Sequence, residues 1–366
     1  MDEKPPGSVG LILVFLGEMD GVSMDVTSLR ESIPLPDAEA AAAAQTRLDN
    51  IAKPIGSLGE LEVLLTRIAS ISGNVELNKR MVFVLAADNG VTSQNVTSIP
   101  PEITMTMASF MAQRRSAVCL MAAQANVDVT LVDMGMFQTL DIPGILDRHI
   151  ANGTADMSVG PAMTTAQAEQ AIQTGIDLAR SAAEQGYQLI ATGEMGIGNT
   201  TTSSALTAVL LNRPVAEVTG RGAGLDDKAL KHKIGIIEQA IRINAPNADD
   251  AFDVLRKLGG FDIAGMCGLI LGAAQSRVPV IIDGFISAIA ALVAVRLCPG
   301  AAYALIPSHL SAEPGSALIF KELGLNPIIQ AGMRLGEGTG AVALIPLLDQ
   351  AAAVYHGLMT FKDIGM

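Results

Sequence analysis

Apolar and polar positions along the 366-residue chain follow two rhythms. From Met81 onward, short apolar runs of strand length alternate with longer segments in which apolar residues recur at helical spacing. The first suits strands buried on both faces and the second suits amphipathic helices, so the alternation predicts βαβ units and a mostly parallel α/β sheet. Strands are expected at Met81 to Ala87, Val127 to Val132, Tyr187 to Thr192, Val280 to Ile282 and Tyr303 to Ile306. Helices are expected between them, among them Asp227 to Ile243 and Thr164 to Gln185, where Thr164 and Gln167 suit a capping box. Asp37 to Ile71 carries a helical pattern that Lys53-Pro54-Ile55-Gly56-Ser57-Leu58-Gly59 should divide in two, because proline and glycine punctuate helices. Gly340 to Met359 reads as a last helix that packs back on the first ones, and residues 1–26 read as a loosely attached extension.

Composition narrows the function classes. Hydrophobic residues make up 49% of the chain and charged ones 17%, which excludes a disordered or low-complexity protein. The net charge is −13, and nine Phe, three Tyr and no Trp leave few stacking rings, so DNA and RNA are not expected partners. The apolar run Val9 to Leu16 follows acidic residues and lacks a cleavage pattern, and Phe285 to Val295 is too short to span a bilayer, so neither a signal peptide nor a membrane span is expected. Cys119, Cys267 and Cys298 sit at unrelated spacings in apolar settings, with no C-x-x-C pair. They read as buried thiols of a cytoplasmic protein, and no metal site is expected.

Candidate chemistry gathers where strands end. Asp88, Asp133, Glu194 and Asp283 all stand at or just beyond the carboxyl ends of predicted strands, the edge where open α/β sheets bind ligands. Asp and Gly also build turns, so any one of them alone has a plain alternative. Gly193-Glu194-Met195-Gly196-Ile197-Gly198-Asn199-Thr200 resembles a triphosphate loop with Asn199 in place of the lysine. Backbone amides, a helix N-terminus and the hydroxyls of Thr200 and Thr201 would still hold one phosphate, although such turns also occur without a ligand. Gly220-Arg221-Gly222-Ala223-Gly224 precedes the segment carrying Lys233, where Arg221 and Lys233 offer either phosphate countercharge or plain surface charge. His309 either donates to a ligand or shapes its loop. Glu337, between Gly336 and Gly338, is a candidate general base if partial burial raises its pKa, and otherwise a helix-cap acid.

Six motifs in order resemble one family, the nicotinate-nucleotide–dimethylbenzimidazole phosphoribosyltransferases. They are Lys53 to Gly59, Gly193 to Thr201, Gly220-Arg221-Gly222, Asp283-Gly284-Phe285, Ser308-His309-Leu310-Ser311-Ala312-Glu313-Pro314-Gly315 and Arg334 to Ala341, and together they span about Thr27 to Phe361. The resemblance implies a Rossmann-like large domain over 77–340 and a small helical domain built from both chain ends, 27–76 with 341–362. It implies transfer of phosphoribose from nicotinate mononucleotide to a cobamide lower-ligand base, release of nicotinate, a dimer, and no cofactor. Glu337 matches the family's general base and Glu194 its second acid. Gly196, Asn199, Thr200, Thr201, Gly222, Lys233, Ser308 and Gly338 match positions that hold the nucleotide, and Asp88, Thr97, Thr106, Met195 and Leu335 match the acceptor pocket.

The chain departs from the family near that pocket. Asn89 stands in place of the usual His, Thr97 in place of a Ser, and Thr106 in place of a Gln, which removes a carboxamide donor and acceptor. Arg114-Arg115-Ser116 replaces a small Gly-rich turn. These changes suggest a benzimidazole-type or phenolic acceptor, or a silent subunit paired with an active paralogue in a heterodimer rather than a homodimer.

Overall fold

The computed structural model describes residues 26–138 and 142–366, so the extension expected at the N-terminus and its apolar run lie outside the described residues, Val26 apart. Six strands form one sheet among these residues: β1 (Arg80–Ala87), β2 (Asp128–Gly135), β3 (Ile145–Asp147), β4 (Leu189–Met195), β5 (Val280–Ile282) and β6 (Leu305–Pro307). Their spatial order is β3-β2-β1-β4-β5-β6 and every neighbouring pair is parallel. The order reverses direction between β1 and β4, which makes a topological switch point at their carboxyl ends.

The sheet is buried on both faces, as its continuous apolar strands require. Along β1, Met81, Phe83, Leu85 and Ala87 join one core while Val82, Val84 and Ala86 join the other. The first core lies under the helices Thr165–Glu184, Asn199–Leu210, Phe261–Gln275 and Phe285–Leu297, and the second under Ile103–Ala112, Ala117–Gln124 and Thr339–Gly357. The Thr165–Glu184 helix starts with the expected capping box, in which the Gln167 amide donates to Thr164 Oγ1 at 3.2 Å and the Thr164 amide to Gln167 Oε1 at 2.9 Å. Glycine sets its distance from the Phe261–Gln275 helix: a Cβ at Gly268 would lie 1.9 Å from the Ile172 carbonyl oxygen.

The predicted break at Lys53 to Gly59 separates the helices Ala38–Asn50 and Glu60–Ser72. Lys53 Nζ meets Glu62 Oε1 at 2.8 Å with both side chains buried, and the Leu58 amide donates to the same oxygen at 2.9 Å. A third cluster, Ala44, Leu48, Ile51, Leu65, Ala69, Val75 and Ala351, joins these helices to the one at the C-terminus. Strand boundaries differ from expectation in places: Tyr303 lies in a 3-10 turn over Pro299–Ala304 rather than in β6, and β2 and β4 run on to Gly135 and Met195. β3 has no counterpart among the expected strands. No described helix is long and apolar enough to cross a membrane, and all three cysteines are free and buried.

Candidate active site

A cleft of about 340 Å³ opens at the switch point, between the loops that leave β1, β4, β5 and β6. Glu194, Met195, Gly196, Asn199, Thr200, Gly222, Leu335 and Glu337 line it together with Thr97, so most of the residues singled out from their motifs meet there. Ile99, Ile103, Met107 and Phe285 add an apolar wall.

Glu194 is the last residue but one of β4, placed opposite Leu85 of β1. It is 7% exposed. Asn199 Nδ2 donates to Glu194 Oε2 in a short contact and to Asp262 Oδ2 at 2.9 Å, so one carboxamide bridges two buried carboxyls. Burial pushes Glu194 up to about 8, aided by the Asp262 charge and opposed by the Asn199 hydrogen bond. Burial also raises Asp262 to about 6, against hydrogen bonds from Asn199 and the first turn of its own helix. No sequence motif marks Asp262, because it opens an apolar helix 63 positions from Asn199.

Glu337 occupies a left-handed backbone conformation, φ 61°, between Gly336 at 86° and Gly338 at 90°. Tight contacts on both sides explain the glycines. A Cβ at Gly336 would lie 2.3 Å from Glu194 Oε1, and one at Gly193 would lie 2.6 Å from the Glu337 carbonyl oxygen. The Glu337 carboxylate, in a residue 6% exposed, accepts from the Val118 amide at 3.2 Å, at the start of the Ala117–Gln124 helix. Burial raises its pKa and this amide lowers it, with Asp283 raising it further. Asp283 anchors the loop by accepting from the amides of Gly338 at 3.2 Å and Ala341 at 2.9 Å. Burial pushes Asp283 up to about 7 against these hydrogen bonds.

The opposite end of the cleft carries positive charge. Lys233 is 1% exposed, and its Nζ donates to Thr200 Oγ1 at 2.8 Å. Burial lowers its pKa to about 8 and the Glu313 charge raises it in part. Gly198 caps the Asn199–Leu210 helix at φ 93°, so the helix N-terminus opens beside Thr200. A buried ammonium, a hydroxyl and a helix N-terminus are groups suited to holding an anionic oxygen group. Among the described residues no group of three or more His, Cys, Asp or Glu could hold a metal ion.

Several expected residues lie elsewhere. The four strand-end acids share an edge but do not converge: Asp133 accepts from the amides of Gly135 at 2.8 Å and Met136 at 2.9 Å, a turn-building role. Asp88 accepts from the Phe137 amide at 2.8 Å and faces a separate cavity of about 90 Å³ with Pro101 and Met105. Both depart from the β1 and β2 side, away from β4 and β5. Thr106 is exposed and donates to the Glu102 carbonyl at 3.2 Å, while Met107 lines the cleft in its stead. Thr201 is fully buried behind Thr200. The Ser308 hydroxyl donates to the carbonyl of Ile282 at 2.6 Å, and Gly338 is committed to Asp283. His309 does line the cleft; its Nδ1 lies 3.2 Å from Ser308 Oγ and 3.8 Å from Asp283, and burial lowers its pKa. Arg114 donates to the Val129 carbonyl at 2.8 Å and Arg115 stacks over Phe110 at 5.9 Å.

A Rossmann-like sheet with a switch-point cleft, raised carboxyls and a buried lysine beside a helix N-terminus has the features of an α/β transferase site. Comparison with known proteins makes this specific: the model of a phosphoribosyltransferase family matches residues 33–366. A relative from Roseiflexus sp. (strain RS-1) is 47% identical over 336 residues, covering 91% of this chain and 95% of its own, and one from Acetivibrio thermocellus is 44% identical over 321 residues, covering 87% and 92%. Both are named nicotinate-nucleotide–dimethylbenzimidazole phosphoribosyltransferase. The crystal structure of CobT from Thermus thermophilus superposes with a TM-score of 0.84 at 37% identity, covering 90% of this chain and 99% of that one. The chain belongs to this phosphoribosyltransferase family and is an enzyme of the pentosyltransferase type.

Proposed function

We propose that the chain transfers phosphoribose from nicotinate mononucleotide to a benzimidazole-type or phenolic acceptor, giving the α-linked riboside phosphate and nicotinate. The observation that carries this reading is the meeting of Glu337, Glu194 and the Lys233–Thr200 cradle around one cleft. The cradle takes the nucleotide's phosphate. The C1′–nitrogen bond then breaks with its electron pair leaving on nicotinate, while the acceptor's nucleophilic atom bonds to C1′ from the opposite face. Positive charge develops on the sugar during the exchange, and the Glu337 carboxylate fixed nearby stabilises it without reorganisation. Glu337 takes the proton that the acceptor gives up as the new bond forms, a role its raised pKa suits. Glu194, pushed up to about 8, serves near neutral pH as a protonated hydrogen-bond donor.

The acceptor lies against Ile99, Ile103, Met107, Met195 and Leu335, where a flat apolar ring is gripped by flexible thioethers and leucine. Leu335 is 59% exposed, so a ring seated there covers an apolar surface left open to solvent. The alternative of a silent subunit draws on Thr97 and Thr106, and the outward placement of Thr106 weakens its basis. A dimer, of like or unlike chains, accompanies the proposal. The deciding experiment incubates the purified chain alone with nicotinate mononucleotide and a panel of benzimidazoles and phenols, then follows free nicotinate. Acceptor-dependent release is expected, and its absence with every acceptor would sink the reading.

A further inference from the structure

Glu313 is a cleft-lining carboxylate that no other side chain or amide engages among the described residues. Its side chain makes no hydrogen bond or ion pair among the described residues, and Oε2 is buried without a partner. A buried oxygen left in this state is costly and calls for an explanation. Its surroundings give one. A Cβ at Gly220 would lie 1.9 Å from Glu313 Oε2, and a Cβ at Gly222 would lie 3.0 Å from Thr200 Oγ1 and 3.6 Å from Lys233 Nζ. The same short loop therefore has the carboxylate against one glycine and the anion cradle against the next but one. The Cα atoms of these two glycines lie at most about 7 Å apart, so the carboxylate and the cradle flank one short stretch of the cleft wall. Lys233 feels the Glu313 charge across this interval without forming an ion pair.

A ligand that fills the interval must offer an anion to Lys233 and uncharged hydrogen-bond donors to Glu313, since a second anion there would be repelled. Sugar hydroxyls meet that requirement. We infer that Glu313 is a specificity-determining residue that reads the 2′- and 3′-hydroxyls of the bound nucleotide's ribose. The inference rests on the proposed nucleotide substrate and deepens it.

The test compares nicotinate mononucleotide with its 2′-deoxy and 3′-deoxy analogues, with dimethylbenzimidazole as acceptor. Wild type is expected to prefer the ribonucleotide over at least one analogue by about 10- to 100-fold in kcat/KM, the worth of a hydrogen bond to a charged group. E313A is expected to bring that preference to within about threefold of unity, with E313Q between the two. The preference is a ratio within each variant, so partial misfolding cancels. An equal preference in wild type and E313A, or none in wild type, overturns the inference. Should wild type release no nicotinate at all, the functional reading falls separately. Calorimetry with ribose 5-phosphate against 2-deoxyribose 5-phosphate then decides the role of Glu313: a difference lost in E313A supports it, and equal binding ends it.

Discussion

Replacing Glu194 with Gln should stabilise the protein at neutral and alkaline pH. Glu194 has its pKa raised from 4.5 to about 8. Between those values the folded chain keeps a proton that the unfolded chain has released, so rising pH favours unfolding by up to about 1.4 kcal/mol per unit. At pH 7.5, three units above the unfolded value, the cost is about 4 kcal/mol, a sizeable share of the roughly 5–15 kcal/mol that holds a typical domain together. Gln has nearly the same volume, still accepts from Asn199 Nδ2 and does not titrate. E194Q should therefore exceed wild type by less than about 1 kcal/mol near pH 5 and by about 4 kcal/mol at pH 8, with the gap opening steadily between. Urea unfolding at one-unit pH intervals measures this directly. A stability difference that stays flat from pH 5 to 8 would show that Glu194 does not titrate in this range and would refute the argument from burial.

Four further outcomes follow from the geometry. K233M should weaken nicotinate mononucleotide binding by about 10- to 100-fold, and wild-type binding should itself weaken above pH 8 as the buried ammonium loses its proton. Calorimetry at pH 7 and pH 9 checks both, and unchanged affinity in K233M would place the phosphate elsewhere. E337Q should lower nicotinate release by about 10²- to 10⁴-fold with little change in unfolding, and near-normal turnover would remove Glu337 as the base. G340A brings a Cβ to 1.8 Å from His309 Nδ1 and should cost about 2–4 kcal/mol. G357A, near the end of the same helix with nothing within 4 Å, should be neutral or stabilising, so similar unfolding midpoints for the two would contradict the packing described.

The sheet is legible in the sequence because burial on both faces leaves a continuous apolar run, and β5 (Val280–Ile282) falls where the run predicts it. β3 is not, since Ile145–Asp147 is an edge strand of only three residues, too short a run for its two apolar side chains to mark a strand. The same contrast holds in the cleft. Glu194, Asn199, Thr200 and Glu337 stand out because local glycines announce tight turns beside them. Asp262 and Val118 act on Asn199 and Glu337 from 63 and 219 positions away, and no local pattern records such pairings. Strand ends also promise more than they deliver: Asp133 carries the same Asp-before-Gly signal as the cleft acids, yet its carboxylate closes its own turn.

Glu337 sits where the backbone favours glycine, with φ 61° between two glycines that share its handedness. Holding a glutamate there costs about 1–3 kcal/mol that glycine would not incur. Random variation screened for folding alone would therefore drift toward glycine at this position. A glutamate held at this strained position serves turnover rather than folding, and position 337 becomes a sentinel: in a decayed copy of this gene, it should be among the first residues of the cleft to change.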